Sequence, residues 1–355
     1  MSKILYAAST YGHIKAFHLD YIAALKSEGH EVKTLAAGEG ADYNIPFEKR
    51  MLSLANLRCR AEIARIVNEG GFDAIIVNTT LAAFHIRLAL GKKRPRLLNV
   101  VHGYLFSENS NLFKKSALLF CEWMLRKRTD AILVMNEEDE RIARKYSLAK
   151  SIDCIRGMGV KDVPATRSRE QMREALSLSA SDYVITFVGE LSKRKNQSLL
   201  IEAMQDIKAE IPTARLLLVG EGSERARLEA LVKRLRLSDS VQLLGRREDV
   251  ADIISAVDLY VSPSKSEGLP FNVAEAMAKR KTVVASRVKG HVDLIESGVS
   301  GYLFTAGNRR GLVECILRAK SAGPLCEAKI YSAFEKHSFD NVYSDTLDKI
   351  KSLIL

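Results

Sequence analysis

The sequence predicts an α/β protein with two domains, each a doubly wound parallel sheet covered by helices. The chain has 355 residues, which is long enough for two domains of ordinary size. Short apolar runs typical of buried strands alternate with amphipathic helical stretches along the chain, and this alternation favours parallel sheets. A stretch of weak periodicity near residues 157–168 separates two series of such strands.

The expected domain limits follow from these two series. The first series of strands is KILYAA, EVKTLAA, AIIVN, RLLNVVH and AILVM, and the second is YVITFVG, RLLLVG, VQLLG, LYVS and TVVAS. We therefore expect one domain at 1–160 and a second at 161–337, facing each other across a cleft where such folds bind ligands. A helical pattern over 338–355 predicts a C-terminal helix that packs back on the first domain.

The charge and residue content of the chain limit the kinds of binding partner that we expect. The net charge of +11 favours an anionic partner: nucleic acid, acidic lipid or a phosphorylated substrate. We find no nucleic-acid recognition module, so nucleic acid is not expected. The five cysteines lack metal-ligand spacing, and no apolar run is typical of a membrane span or a signal peptide. These features predict a cytoplasmic protein.

The most informative stretch is LYVSPSKSEGLPFNVAEAMAKRKTVVAS, residues 259–286. Its pattern predicts a strand, a polar loop, a helix that starts at Pro270 and a second strand. Proline suits a first helical turn because its missing N–H would have no intrahelical partner. The start of this helix therefore favours an anion such as a phosphate.

Two carboxylates bracket this loop and helix, Glu267 and Glu275. Eight residues of helix would separate them by roughly 12 Å, which is wider than a hydrolase pair requires. The spacing favours two carboxylates that accept hydrogen bonds from opposite ends of one long polar ligand. The alternative is a loop charge and an exposed helical glutamate without function.

The segment SEGLPFNVAEAMA resembles the E-x7-E signature of the retaining nucleotide-sugar glycosyltransferases of family 4. The resemblance extends over 183–305 and, more weakly, over 1–155. It implies the two-domain GT-B architecture, with Glu275 on the ribose hydroxyls and Glu267 on the donor sugar. It also implies donor contacts from the residues between them, namely Gly268, Leu269, Pro270, Phe271 and Asn272.

The basic loop in VGELSKRKNQSLLIEAM is a second candidate site. It follows a strand that ends at Gly189 and precedes a helix that begins near Asn196, which suits a diphosphate. In the resembling family an arginine and a lysine lie here. Lys195 matches the lysine, whereas Glu190 stands at the arginine position, so Lys193 or Arg194 would supply the second charge. A solvated basic turn is the alternative.

The resemblance implies further site residues on other loops. The backbone at 245–247, which includes Arg246, would meet the nucleotide base. In the first domain Gly12 and His13 follow the first strand, and His102 follows RLLNVV. Gly12 would permit a tight turn. His102 would be a catalytic residue, as would Glu267 and Lys195, and would act by bonding to a sugar hydroxyl. The alternatives are an ordinary strand-to-helix turn and a structural histidine.

Two basic stretches, at 90–96 and 111–128, leave two interpretations open. The second stretch, NLFKKSALLFCEWMLRKR, combines aromatic and basic residues that suit an anionic membrane surface. It would equally suit a helix that packs its apolar stripe on the sheet and exposes its lysines. Peripheral contact with the inner face of the cell membrane is therefore an expectation alongside a wholly cytoplasmic one.

The resemblance, with the GELxKxKNQ pattern of a capsule and exopolysaccharide subgroup, implies a specific reaction. We expect retaining transfer of a sugar from a nucleotide-sugar, a UDP-sugar by family resemblance, to an undecaprenyl-diphosphate-linked saccharide. No Asp-x-Asp pattern is present, so neither a metal nor another cofactor is expected. The alternatives are a nucleotide-sugar epimerase of the same fold, which needs no acceptor, and a non-catalytic sugar-nucleotide binding protein.

Overall fold

A computed structural model describes residues 1–48, 50–108 and 110–354 and divides the chain into two compact units. Unit 1 consists of Met1–Met158 and Val342–Leu355, and unit 2 consists of Gly159–Asn341. Both units are α/β, as expected, and each contains one parallel sheet.

The strands and helices of the described residues are numbered in chain order. The strands are β1 (Lys3–Thr10), β2 (Glu31–Ala37), β3 (Tyr43–Asn44), β4 (Ala74–Asn78), β5 (Arg96–Val101), β6 (Ala131–Val134), β7 (Ser151–Cys154), β8 (Tyr183–Val188), β9 (Ala214–Val219), β10 (Val241–Gly245), β11 (Leu259–Ser262), β12 (Val283–Ser286) and β13 (Tyr302–Phe304). The helices are α1 (Tyr11–Phe17), α2 (Leu19–Ser27), α3 (Leu54–Gly70), α4 (Thr80–Ala89), α5 (Leu112–Leu125), α6 (Glu137–Lys145), α7 (Arg169–Ala175), α8 (Gln197–Glu210), α9 (Arg225–Arg234), α10 (Val250–Ala256), α11 (Phe271–Ala278), α12 (His291–Leu294), α13 (Arg309–Ala322), α14 (Glu327–Glu335) and α15 (Phe339–Ile354).

Unit 1 has a sheet in the order β3-β2-β1-β4-β5-β6-β7, in which every neighbouring pair is parallel. The five expected strands form β1, β2, β4, β5 and β6. The two edge strands were not predicted: β3 has only two residues, and β7, SIDC, is only partly buried. Neither carries the apolar run by which buried strands are recognised.

Unit 2 repeats the same winding in a sheet ordered β10-β9-β8-β11-β12-β13. Its five expected strands are present, and the short edge strand β13 was missed. Strands β8, β9, β11 and β12 are almost wholly buried, which explains their continuous apolar runs. Helices α8 and α13 bury their apolar faces against this sheet, so the hydrophobic core fixes the strand ends that carry the site.

In both sheets the winding direction reverses beside a central strand, at β1/β4 in unit 1 and β8/β11 in unit 2. Loops at the carboxyl ends of strands diverge at such a point and leave a crevice where α/β folds bind ligands. The candidate residues that follow β1 and β5, and those that follow β8 and β11, are therefore carried on loops at or beside these two points.

Helix α15 completes unit 1 from the far end of the chain. Its side chains Val342, Leu347, Ile350 and Ile354 are buried. The hydroxyl of Tyr343 donates to the carbonyl of Asp20 at 3.4 Å. Among the described residues, no helix has both the length and the hydropathy required to cross a bilayer.

Candidate active site

The basic loop after β8 is ordered by the backbone at both of its ends. Gly189, which follows the strand, has φ +145°, and a Cβ on the neighbouring Gly220 would lie 2.1 Å from the Gly189 oxygen. The loop ends at Asn196, in the left-handed region with φ 58°, and helix α8 begins at the next residue. The Asn196 amide donates to the carbonyl of Pro263 at 3.3 Å. The loop is thereby attached to the one that follows β11.

Glu267 lies buried between two cations of this basic loop. The Lys195 Nζ is 2.7 Å from Glu267 Oε1, and the Arg194 guanidinium is 2.7 Å from Oε2. Arg194 also donates to the carbonyl of Ser266 at 2.9 Å. Burial alone would raise the pKa of Glu267, but Lys195 and Arg194 outweigh it and lower the pKa to about 2. The carboxylate is therefore ionised at neutral pH.

The pKa of Glu275, on α11, is shifted in the opposite direction. Burial raises the pKa of its carboxyl to about 7, and the lowering by Lys195 and Lys279 is smaller. The side chain lines a pocket of about 140 Å³ with Val250, Ala251 and Ile254 among its apolar walls. The Lys279 ammonium forms an ion pair with Asp162 at the same pocket.

The residues between these two glutamates pack closely against the rest of unit 2. Leu269 and Pro270 are buried, and a Cβ on Gly290 would lie 2.0 Å from the carbonyl oxygen of Gly268. Pro270 is the N-cap of α11, which begins at Phe271. The expectation that the helix starts at Pro270 was therefore wrong by one residue, since Pro270 has extended backbone angles, φ −83° and ψ 96°.

Asn272 joins the first turn of α11 to the end of β8. Its amide donates to the carbonyl of Val188 at 2.7 Å and to the hydroxyl of Tyr260 at 2.9 Å. Both N–H groups of this side-chain amide therefore donate to groups within the protein. We therefore assign Asn272 the role of holding the helix start in position.

The loop after β10 offers mainly backbone groups to the candidate site. Gly245 ends the strand with φ +71°, and Arg246 is exposed. Arg247 is engaged with the Asp249 carboxylate at 2.6 and 2.8 Å. Arg246 and Glu248 are the exposed side chains of this loop.

Three histidines meet in unit 1. The Nε2 atoms of His13 and His18 lie 3.3 Å apart, and the rings of His13 and His102 are edge to face with centroids 4.6 Å apart. Burial lowers the pKa of His13 to about 4 and lowers the pKa of His18 and of His102. All three imidazoles are therefore neutral at physiological pH.

Gly12 does not form the tight turn expected of it. It is the second residue of α1, whose N-cap is the side chain of Thr10 accepting from the His13 N–H, so the residue is helical and forms no tight turn. A Cβ at this position would meet nothing within 4 Å. No protein atom requires glycine there.

Helix α5 exposes aromatic and basic side chains together. Phe113 is 85% exposed and Trp123 44% exposed, and the Arg126 guanidinium lies 3.7 Å from the Trp123 ring centroid. Leu118 and Leu119 instead pack against the core of unit 1. Leu125 is also buried, whereas the aromatic side chains Phe113, Phe120 and Trp123 of the expected apolar stripe are exposed.

The comparisons with known proteins agree with one another. Residues 168–336 match the family model of the glycosyl transferases group 1. EpsD of Bacillus subtilis (strain 168), a glycosyltransferase by assignment rather than by demonstrated activity, is 29% identical over 346 residues, covering 91% of this chain and 89% of its own. The UDP-Gal:alpha-D-GlcNAc-diphosphoundecaprenol alpha-1,3-galactosyltransferase of Escherichia coli is 27% identical over 329 residues, covering 88% and 81%.

A solved structure shares the fold over the whole chain. HepE (Alr3699) of Anabaena, in complex with UDP and glucose, matches with a TM-score of 0.80 at 21% identity and covers 99% of this chain and 100% of its own. The protein is a glycosyltransferase. Its fold is the expected GT-B class, in which two Rossmann-like domains each carry a parallel sheet.

Within unit 2 of the glycosyltransferase, the predicted residues fall into three groups. Lys195, Arg194 and Glu267 are in direct contact. Glu275 is near enough for Lys195 to affect its pKa. Lys193 and Arg194 are both exposed, and Arg194 is the one described in contact with Glu267. Which of them would supply the second charge to a diphosphate stays a prediction.

Two buried histidines of the glycosyltransferase, His18 and His291, were not predicted as site residues. His18 lies five residues after His13, a separation that one helical face does not bring together, so periodicity gave no signal. His291 bonds to the Ser262 hydroxyl at 3.0 Å and to the Ser286 carbonyl at 2.7 Å. Burial lowers its pKa to about 4, although the nearby charge of Glu267 opposes this. Its place in VKGHVDLIE, beside the resembling glycine pair, was the available signal.

Proposed function

We propose that this glycosyltransferase moves a sugar from a UDP-sugar to a lipid-linked saccharide, with retention of anomeric configuration, in the assembly of a cell-surface polysaccharide. The observation that carries the proposal is the buried contact of Lys195 and Arg194 with Glu267, eight residues before Glu275. The E. coli relative is named for a diphosphoundecaprenol-linked substrate, and HepE was solved with UDP. Both support the choice of donor and acceptor.

The donor diphosphate would lie against Lys195, Arg194 and the start of α11. The two cations are held in place by Glu267, so they require little reorganisation to meet a second anion. Helix α11 has no side-chain cap at its N-terminus, and a helix N-terminus favours phosphate. These groups would stabilise the negative charge that develops as the diphosphate leaves.

The nucleoside would occupy the pocket beside Glu275. A carboxylate at this point accepts hydrogen bonds from both ribose hydroxyls, and the apolar walls formed by Val250, Ala251 and Ile254 suit one face of a base. Recognition of the base through the backbone near Arg246 would need no particular side chain.

The donor sugar would be held by Glu267, which is ionised and accepts hydrogen bonds from sugar hydroxyls. In unit 1 we assign His102 to a sugar hydroxyl, as the family resemblance implies. The bond between the anomeric carbon and the phosphate oxygen breaks, and its electron pair leaves on the diphosphate. The acceptor hydroxyl attacks from the same face, and its proton passes to the departing phosphate oxygen.

The acceptor would reach the enzyme at an anionic membrane through the surface of α5. Leu112, Phe113 and Trp123 are exposed there, next to Lys114 and Lys127. Aromatic side chains enter the interfacial region of a bilayer, while lysine and arginine attract anionic headgroups. A polyprenyl-diphosphate acceptor resides in that environment.

A panel of nucleotide-sugars tests the donor site. UDP-, GDP-, ADP- and TDP-sugars are added to the wild-type protein, to Glu275→Gln and to the control Glu210→Gln, which changes an exposed glutamate of α8. A donor at 100 times its dissociation constant adds about 2.7 kcal/mol of stability. We expect a UDP-sugar to stabilise the wild type and the control more than Glu275→Gln. Equal stabilisation of all three proteins, or of none at millimolar donor, would contradict the donor site.

A transfer assay tests the acceptor. The donor that stabilises the protein is incubated with an undecaprenyl-diphosphate saccharide in anionic vesicles, and separately with the free saccharide. We expect product with the lipid-linked acceptor and much less with the free one, and the anomeric configuration of the product reports retention. Equal rates with both acceptors would remove the lipid from the proposal.

A further inference from the structure

The three histidines of unit 1 form a cluster of potential metal ligands. One side-chain nitrogen from each of His13, His18 and His102 lies within 4.8 Å of the other two. The residues come from separate elements: His13 lies within α1, His18 follows that helix, and His102 follows β5. The packing of these elements brings the three rings together although 84 residues separate His18 from His102.

Some of the six ring nitrogens of this cluster have a hydrogen-bond partner among the described residues, and at least one does not. The Nδ1 of His18 is 2.9 Å from the hydroxyl of Tyr6, so its Nε2 is the nitrogen directed at His13. The Nε2 of His102 is buried and has no hydrogen-bond partner among the described residues. An unpartnered buried nitrogen next to two other imidazoles points to a ligand that the three rings can share.

We infer that His13, His18 and His102 form a binding site for a divalent transition metal of the zinc type. Zinc binds imidazole nitrogens at about 2.0–2.1 Å in tetrahedral geometry, which places two such nitrogens roughly 3.3–3.4 Å apart. The Nε2 atoms of His13 and His18 already have a separation of 3.3 Å. Three histidines leave one position for water or an anion, the arrangement typical of open zinc sites.

Tyr6 supports the cluster from behind. This side chain is fully buried on β1, and its hydroxyl would accept from the Nδ1–H of His18, which orients the ring and leaves Nε2 to the metal. Metal-bound histidines are commonly held by such a second hydrogen bond.

This inference goes beyond the proposed function and does not depend on it. A bound ion would compete with the sugar contact assigned to His102. The ion has no part in the departure of the diphosphate, and the expectation that transfer needs no metal is unaffected.

The experiment measures zinc binding by the full chain without donor, acceptor or polyhistidine tag. The protein is stripped with chelator, equilibrated with Zn²⁺, dialysed, and its metal content measured. We expect an equimolar amount of zinc in the wild type and at least a tenfold weaker affinity in His13→Gln and in His102→Gln. The positioning variant Tyr6→Phe should lose roughly tenfold in affinity. The matched control is His30→Gln, whose imidazole is bonded to the Ser2 N–H away from the cluster.

Cobalt(II) substitution identifies the ligands, because the chain also has free cysteines. Visible d–d bands without a thiolate charge-transfer band are expected, and they should be absent from His102→Gln. Circular dichroism of each variant confirms that it is folded. A thiolate band, zinc well below equimolar in the wild type, or unchanged affinity in both folded histidine variants would overturn the inference. Because donor is absent throughout, these outcomes are independent of the panel that tests the proposed function.

Discussion

At the scale of single residues, Glu267 and Glu275 have pKa values displaced in opposite directions. Both carboxyls are largely removed from water, which raises the pKa of each. Glu267 has two cations within 2.7 Å of its oxygens, and their attraction prevails. Glu275 lies farther from any cation, so burial prevails and its pKa rises to about 7.

Donor affinity should therefore increase with pH around neutrality. The proposed bonds to ribose need the ionised Glu275, which forms as pH rises through about 7. We expect the dissociation constant of the UDP-sugar to fall between about pH 6 and about pH 8, as measured by calorimetry. In Glu275→Gln this pH dependence should disappear. A wild-type profile flat over that range would contradict the assignment.

The same carboxyl affects stability with the opposite sign. Its folded pKa is above the unfolded value of 4.5, so its contribution is fully present below about pH 4.5 and is lost as pH rises through about 7. The stability difference between wild type and Glu275→Gln should therefore shift in favour of the variant over this range. Urea unfolding at several pH values measures it, and a constant difference would argue against a raised pKa.

Loss of the Glu267 charge should destabilise unit 2. Glu267→Gln leaves the buried Lys195 without its partner, and breaking a buried pair in this way costs about 3–5 kcal/mol. The folded pKa of about 2 lies below the unfolded value, so wild-type stability from this group is present above about pH 4.5 and is lost as pH falls towards about 2. Urea unfolding at neutral pH tests the cost. Glu210→Gln is the control, with an expected change within about 0.5 kcal/mol, and a similarly small change in Glu267→Gln would refute the prediction.

Glu267, Glu275 and Lys195 were selected from two loops and one helix by their spacing and by the family resemblance. The structure places Lys195 in contact with Glu267, while the roles of all three at a donor stay predictions. The contact of Arg194 with Glu267 could not be predicted from spacing, because adjacent residues of a loop differ mainly in where their side chains point. Predicting His18 would have required knowledge of the contact between α1 and the end of β5, which no local sequence pattern contains.

At the scale of elements, α5 combines firm attachment with an exposed apolar face. The buried Arg87 of α4 donates two hydrogen bonds to Glu122 of α5, at 2.7 and 2.9 Å. This bidentate pair, in which both side chains are almost wholly buried, fixes the rotation of α5. Phe113 and Trp123 are consequently held outward.

Removal of these aromatics should weaken binding to anionic vesicles. Each buried aromatic contributes roughly 1.5–3 kcal/mol, so we expect Phe113→Ser with Trp123→Ser to reduce partition into phosphatidylglycerol vesicles by about tenfold or more. Flotation measures the partition. The matched control is Leu52→Ser with Leu54→Ser, which removes two comparably exposed apolar side chains from another surface of unit 1.

Salt provides an independent check on the same surface. Wild-type binding should weaken as ionic strength rises, because the charges of the α5 surface are exposed and screened. If the double aromatic variant floats as well as the wild type, α5 is not the membrane contact.

Some strands were predicted from the sequence and others were not, because recognition depends on the length and burial of each strand. Long, fully buried strands such as β4 and β8 were recognised from their continuous apolar runs. The strands β3, β7 and β13 are short edge strands, and their pairing is decided by the sheet beside them. Short edge strands depend on tertiary context more than on their own composition.

At the scale of the whole molecule, unit 1 is assembled from two separate parts of the chain. The chain leaves unit 1 after Met158 and returns at Val342. In addition to its apolar face, α15 has polar ties to unit 1: Lys349 donates to the Cys154 carbonyl at 3.1 Å, and Lys351 pairs with Glu28 at 3.0 Å. Unit 2 is continuous in sequence.

Truncation after Asn341 should unfold unit 1 and spare unit 2. The deletion removes four buried apolar side chains of α15, each of which contributes about 1.5–3 kcal/mol, against a typical domain stability of about 5–15 kcal/mol. We expect calorimetry to show loss of one transition and persistence of the other. The remaining transition should still move to higher temperature with the UDP-sugar.

Limited proteolysis of the truncated chain offers a second measurement of the same prediction. Cleavage should concentrate within 1–158 and leave a resistant fragment that spans 159–341. Resistance of both units would show that α15 is dispensable to unit 1.

The discontinuity of unit 1 also sets an order of events during synthesis on the ribosome. Domains that are continuous in sequence generally fold one after another as they emerge. Here residues 1–158 emerge before α15 and must wait for it, while the central part of the chain is already complete. A nascent chain halted before α15 would therefore present a finished unit 2 beside an unfinished unit 1. The exposed apolar residues of that unfinished unit make this interval the one in which the growing chain most needs a chaperone.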